Sequence, residues 1–397
     1  MLLEILLAIF IGILAGTFTG LIPGIHINLI GAFLISLSVG ILAKINPIYL
    51  TVFIVAMAIT HTFVDFIPSI FMGCPDTDTE LSVLPGHELL KQGLGYQAVV
   101  LTCYGSLAAV IILTIIAIPI SKLMQIAYPY ILAILPFLLI AISIFLVSIE
   151  KHKLQALQVF LLTGFLGLII LNMNSVNQPL LPLLSGLFGS SMILTSIKSN
   201  PPIPLQIITK PKINLKKPLL GSLFASPFCS FLPGLGSGQA AVIGNIISNT
   251  NKKGFLVLVG STNTLVMGFS FISLYIISRT RTGAAVAIKE ILGTFTEPIL
   301  ILMILTTLIT GIFAFFITIK LAEIFSQKLP DINYVKLSKI ILTTLTLTIF
   351  LISGFKGILI FIISTLTGLY CISKKVKRTN MMGCLLIPTI IFYLTSM

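Results

Sequence analysis

Charge is what this 397-residue chain lacks most: 9% of its residues are Asp, Glu, Lys or Arg, against roughly 25% in a soluble domain. With 57% hydrophobic residues and a mean hydropathy of +1.14, that shortage excludes a soluble globular protein and points to the lipid bilayer. Short alternating apolar segments are also missing, which excludes a β-barrel. The apolar runs are instead long enough for helices, which need about 20 residues to cross a hydrocarbon core of about 30 Å. Cysteine is sparse: Cys74, Cys103, Cys229, Cys371 and Cys384 form no CxxC pair and no metal spacing, so they read as structural thiols. No basic n-region precedes the first run, "MLLEILLAIF", which carries Glu4; a retained first span is expected rather than a cleaved signal.

The net charge is +13, yet the cations sit between apolar runs and not on one face of a soluble domain. They read as orientation signals in a membrane, not as a nucleic-acid surface. Apolar runs occupy 2–22, 27–43, 48–72, 97–120, 126–148, 156–173 and 180–197, then 218–232, 238–249, 255–278, 299–319, 336–353, 356–373 and 380–396. Between the two sets lies "KSNPPIPLQIITKPKINLKKP", with five lysines, too polar to cross. The expected fold class is an all-α polytopic membrane protein of about 12–14 transmembrane or re-entrant helices. The expected organisation is a first membrane repeat over 1–197, a basic linker over 198–217 and a second repeat over 218–397.

Three matches carry the repeat. "TGLIPGIHIN" (19–28) resembles "CSFLPGLGSG" (229–238) at an offset of 210; "THTFV" (60–64) resembles "TNTLV" (262–266) at 202; Glu88 in "HELL" stands opposite Glu290 in "KEIL", again at 202. Placing the linker in the cytoplasm puts 73–96, 150–153, 198–217, 252–253, 320–339 and 374–378 inside, with eighteen of the twenty-four Lys and Arg. Lys44, Lys122, Arg279, Arg281, Lys289 and Lys356 stay outside, a usable positive-inside bias. Seven passes per half is odd, so the second half enters from the opposite side. Such inverted repeats are a common plan among secondary transporters.

Polar residues inside apolar runs carry the candidate chemistry. The Pro-Gly turns place Pro23, Gly24, His26 and Asn28 against Pro233, Gly234, Gly236, Ser237, Gly238 and Gln239. A break at membrane depth is tolerated where protein or water satisfies the freed backbone. It aims helix-terminal N–H groups at a cavity, a cradle for an anion; the alternative is two ordinary hairpin turns. Asp65 lies within the run "AITHTFVDFIP" with His61 one turn before it, and intramembrane ionisable groups face a cavity or a partner. Thr60 and Thr62, with Thr262, Asn263 and Thr264, supply oxygen and amide ligands for a coupling ion or substrate. Met267 stands opposite Asp65, so such a site is asymmetric; an interfacial Asp65 paired with Lys or His is the alternative.

Four of the chain's eleven acids, Asp76, Asp78, Glu80 and Glu88, fall within "CPDTDTELSVLPGHE" (74–88). The stretch is no EF-hand, since Leu81 stands where glycine is required and His87 where the bidentate Glu would be. "HELLK" is no HExxH zinc motif. The acids are expected at one mouth of a pathway, opposite Arg279, Arg281 and Glu290 in "SRTRTGAAVAIKE" (278–290); a solvated loop is the alternative. Basic groups at an outer mouth would attract carboxylates.

The run "MGCPDTDTELSVLPGHELLKQGLGYQAVVLTCYGSL", the turns "GLIPGIHIN" and "FLPGLGSGQAAV", and "FISLYIISRTRTGAAVA" resemble the TctA family, the large permease subunit of tripartite tricarboxylate transporters, in its archaeal branch. The resemblance implies secondary transport of a small carboxylate driven by Na⁺ or H⁺, without a cofactor and without enzymatic chemistry. It further implies a small membrane subunit and an extracytoplasmic binding protein as partners, with the Pro-Gly turns as the substrate region. This chain is shorter than typical bacterial members, and its first turn carries His26. The expectation is a multi-pass carrier of the cell membrane working by alternating access, with no nucleic-acid partner and an oligomer possible. A membrane enzyme using Asp65 and Asp76 as acids, or a channel or structural subunit, is the rival reading.

Overall fold

The structure, a computed structural model, describes residues 2–22, 44–73, 79–173, 175–199, 204–212, 214–231, 236–278, 282–328 and 334–395. Among these the chain is all-α, with no strand. The helices are α1 (Leu2–Leu21), α2 (Pro47–Val64), α3 (Val83–Leu90), α4 (Gly95–Ser148), α5 (Lys153–Leu171), α6 (Leu180–Leu184), α7 (Ser191–Ser199), α8 (Lys216–Phe231), α9 (Ser237–Ser248), α10 (Lys252–Ile277), α11 (Gly283–Leu292), α12 (Glu297–Lys328), α13 (Tyr334–Ser373) and α14 (Gly383–Thr395). Seven described helical segments are long and apolar enough to cross a membrane. The all-α polytopic expectation holds.

Two of those segments form the centre. In Pro47–Met72, which is α2 with its π-helical extension Pro68–Met72, and in α10, 94% of the most apolar window is buried, against 33% in α1 and 28% in Ser338–Ser373. A helix apolar all round must be wrapped by other helices. Here α4 packs along α10, α12 packs along α2, and α1 and α8 lean on α2 and α10 in turn. The outer helices turn Leu3, Phe10, Ile115, Phe165, Phe316 and Leu351 outward, the expected face toward lipid.

Small residues allow the close crossings, as membrane helices lacking a hydrophobic drive to associate require. Gly12, Gly16 and Gly20 of α1 lie against Phe53, Met57 and Val64 of α2, where an added Cβ would overlap. Gly260 of α10 faces the Thr102 carbonyl of α4, and Gly105 of α4 faces the Val257 carbonyl. Ser106 donates across the same crossing to the Gly260 carbonyl at 2.9 Å.

Helix boundaries recur along the chain. Gly95 and Glu297 open α4 and α12, and Leu180 and Gly383 open α6 and α14. These offsets are 202 and 203. Pairings recur too: Gly20 of α1 meets Val64 of α2, while Ser230 of α8 donates to the Val266 carbonyl of α10 at 3.3 Å. Those residues are related by the sequence offsets of 210 and 202.

Two expected runs keep their lengths and take the re-entrant form that the expected fold class allowed. The runs at 218–232 and 238–249 become α8, of 16 residues, and α9, of 12, about 24 Å and 18 Å long at 1.5 Å per residue. Neither can cross alone. They lie antiparallel, since Gly221 meets Gly244 and Ser248, so Lys216 and Ser248 share one end and the tip lies at the other. The expected runs at 97–120 and 126–148 are one continuous helix, α4, despite Pro119, Pro129 and Pro136. Their counterpart α13 breaks at Gly354, whose φ of 65° needs a residue without Cβ.

Candidate functional site

The two polar motifs meet where α2 and α10 cross. The Thr62 and Thr264 hydroxyls lie 3.2 Å apart, so two residues related by the sequence offset of 202 touch each other. Asn263 donates through Nδ2 to Asp65 Oδ2 at 3.0 Å and to the Thr62 carbonyl at 3.5 Å. Asp65 is 4% exposed and Asn263 2%. A buried polar group needs a partner of this kind, because desolvation costs several kcal/mol otherwise. Thr262 donates to the Val259 carbonyl within its own helix.

The site reaches to α1. His61 Nδ1 lies 3.1 Å from Thr19 Oγ1, and the Thr60 side chain faces Gly16. The Thr60 hydroxyl is buried without a hydrogen-bond partner among the described residues. Asp65 ends α2; its carbonyl accepts from Ser69 Oγ at 2.8 Å. The Ser69 hydroxyl then lies 2.6 Å from that of Thr79. The π-helical stretch Pro68–Met72 begins three residues after Asp65, and such wide turns are common at functional sites. The residue types match a small hard cation, for which oxygen ligands from carboxylate, hydroxyl and carbonyl groups are suited. No group of three or more His, Cys, Asp or Glu able to hold a metal occurs among the described residues.

Of the turn residues, Pro23, Gly24, His26, Asn28, Pro233 and Gly234 lie outside the described residues. Gly236, Ser237, Gly238 and Gln239 are described and begin α9. Gln239 folds back so that its Oε1 accepts from the Gly236 N–H at 2.6 Å.

The acidic stretch divides. Asp76 and Asp78 lie outside the described residues, as do Arg279 and Arg281. Glu80 is 2% exposed and packs against Gly238, so it belongs to the interior and not to a solvated loop. Glu88 forms an ion pair with Lys252 at 2.6 Å; being exposed, it adds little stability. Glu290 is exposed at the end of α11. His87 is buried, and desolvation, with Lys91 and Arg378 adding, lowers its pKa to about 4. Burial also lowers Arg378 to about 10.

Contacts draw the cation-rich segments together in two groups. Ile207 donates its N–H to the Gly93 carbonyl at 2.7 Å; Gln206 accepts from the Gly95 N–H. Gln97 donates to Thr209 and accepts from Lys253. Lys377 and Asn380 reach Glu150 at 4.0 and 3.2 Å. Sequence reasoning missed Thr19, Ser69 and Thr79. Thr19 stands just before the first Pro-Gly turn, and that position is the signal that marks it.

An all-α polytopic fold with seven described segments apolar enough to cross a bilayer defines a multi-pass membrane protein. The chain matches the Tripartite tricarboxylate transporter TctA family over residues 6–383 and belongs to it. That is a family of transporter components, not of enzymes. The chain is also similar to the Uncharacterized protein MJ1079 of Methanocaldococcus jannaschii, 30% identical over 403 residues covering 98% of this chain and 99% of the relative. No solved structure gives a significant match.

Proposed function

We propose that the protein is a secondary carrier of a small organic anion of the di- or tricarboxylate class, coupled to Na⁺ or H⁺ and working by alternating access. The observation that carries this reading is the crossing of α2 and α10, where Asp65, Asn263, Thr62 and Thr264 are buried together. An intramembrane acid held in a polar cluster between two otherwise apolar helices is the expected form of a coupling site. The family name supports a carboxylate as cargo. The amide end of α9 is the proposed seat for a substrate carboxylate.

The recurring helix boundaries and the reciprocal packing of α4 on α10 and α12 on α2 support two repeats over 1–197 and 218–397. When matched residues such as Thr62 and Thr264 touch, they lie on a local twofold axis. Inversion across the membrane places that axis in the bilayer plane, as in other carriers built from inverted repeats. The shared face of residues 88–97, 204–209 and 252–253 supports a cytoplasmic linker, on the positive-inside rule. In this reading the protein sits in the cell membrane and works with a small membrane subunit and an extracytoplasmic binding protein.

Proteoliposomes holding the purified chain test the reading with labelled citrate, malate and succinate under Na⁺ and H⁺ gradients imposed separately. A carrier gives saturable uptake with one gradient and counterflow without any. Conductance without saturation identifies a channel instead, and substrate turnover in detergent identifies an enzyme.

A further inference from the structure

We propose that Glu80 is an internal carboxylate that occupies the amide end of α9 and must leave it before a substrate carboxylate can bind. The inference rests on the reading of α9 as the substrate seat. The first amides of a helix have no acceptor within it and carry partial positive charge. In α9 these belong to Ser237, Gly238 and Gln239, and the residue before them, Gly236, has no side chain to cap them. Glu80 is brought there by a short 3₁₀ turn, Glu80–Ser82. That turn is tied by Ser82 Oγ donating to the Thr79 carbonyl at 2.7 Å and by the Thr79–Ser69 hydroxyl pair.

The absence of a side chain at Gly238 permits this arrangement. A Cβ there would overlap a carboxylate oxygen of Glu80 and stand 3.1 Å from the Met382 methyl group. A second observation marks the same place as a ligand seat. The Gln239 side-chain amide is fixed at the helix end by its bond to the Gly236 N–H. Its Nε2, nevertheless, is buried without an acceptor among the described residues. A buried donor left open beside a row of helix amides fits a further oxygen ligand.

Two ionised carboxylates at one buried helix end repel, because each raises the cost of ionising the other. Glu80 and an anionic cargo therefore compete. Apparent affinity is then scaled down by the fraction of time the seat is free, and the return of Glu80 favours cargo release.

The test places a cysteine at Ser237 in a chain with Cys74→Ser and follows its reaction with a sulfonate-bearing methanethiosulfonate. Glu80→Gln is expected to speed labelling by about tenfold or more. Glu80→Asp, whose shorter acid no longer reaches Gly238, acts in the same direction and serves if Glu80→Gln does not fold. Unchanged rates in both overturn the proposal. In parallel, citrate and succinate binding to the otherwise unmodified chain should tighten by about tenfold in Glu80→Gln. Loss of that binding makes Glu80 a ligand and also overturns the proposal. If labelling accelerates while neither acid binds wild type or variant, the competing carboxylate stands and the cargo class falls.

Discussion

Replacing Asp65 and Asn263 by alanine, singly and together, isolates the bond at the centre of the fold. Both side chains are almost fully buried and their polar atoms lie 3.0 Å apart. A hydrogen bond to a charged group contributes about 1.5–3 kcal/mol in proteins, while membrane helix pairs average about 0.6 kcal/mol because unfolded chains in a bilayer also find partners. A carboxyl–amide bond in this dry crossing places the coupling between these figures, at about 1–2 kcal/mol. The assay is thermal unfolding of the four proteins in one detergent, with the coupling energy taken from the cycle. Residues that share no interaction add to within about 0.5 kcal/mol. A coupling inside that margin would refute the bond, and with it the joining of the two motifs into one site.

Three further outcomes follow from other parts of the structure. An unfolded chain protonates His87 near pH 6.5, whereas the folded one does so only near 4; stability is therefore intact above pH 6.5 and falls by about 3 kcal/mol down to pH 4. Unfolding scans of His87→Gln should lack that slope, and a slope equal to wild type contradicts the burial account. Gly260→Ala forces a methyl group onto the Thr102 carbonyl and should cost about 1–3 kcal/mol in the same unfolding assay; a neutral result means the α4–α10 crossing is looser than described. Single cysteines at Leu205 and Lys377 should label from one side of sealed vesicles, and those at Lys44 and Lys289 from the other. Labelling of all four from one side breaks the inverted arrangement.

The central site was legible because polar residues are rare in apolar runs. Thr62, Asp65, Asn263 and Thr264 stood out against their neighbours, and Thr62 and Thr264, matched by the offset of 202, are the two whose hydroxyls meet. Thr19, Ser69 and Thr79 were not legible, since hydroxyls on helices commonly bond their own backbone and leave no periodic trace; Thr19 also bonds the Gly16 carbonyl. The meeting of Glu80 with Gly238 joins segments far apart in sequence, and no local pattern announces it. Prolines misled at α4: Pro119 and Pro129 flank the expected break, yet the helix continues, as membrane helices permit when neighbours re-satisfy the freed carbonyls. The short runs at 218–232 and 238–249 already carried the lengths of α8 and α9, which left a re-entrant form open.

Gradient-driven uptake by wild type and Asp65→Asn, reconstituted at equal density, tests the central claim most directly. Asparagine keeps the size and one oxygen of the side chain but removes its charge. The account predicts that uptake of a carboxylate above equilibrium is lost in Asp65→Asn while the protein stays folded. Accumulation by Asp65→Asn equal to wild type, under the same Na⁺ or H⁺ gradient, would contradict it.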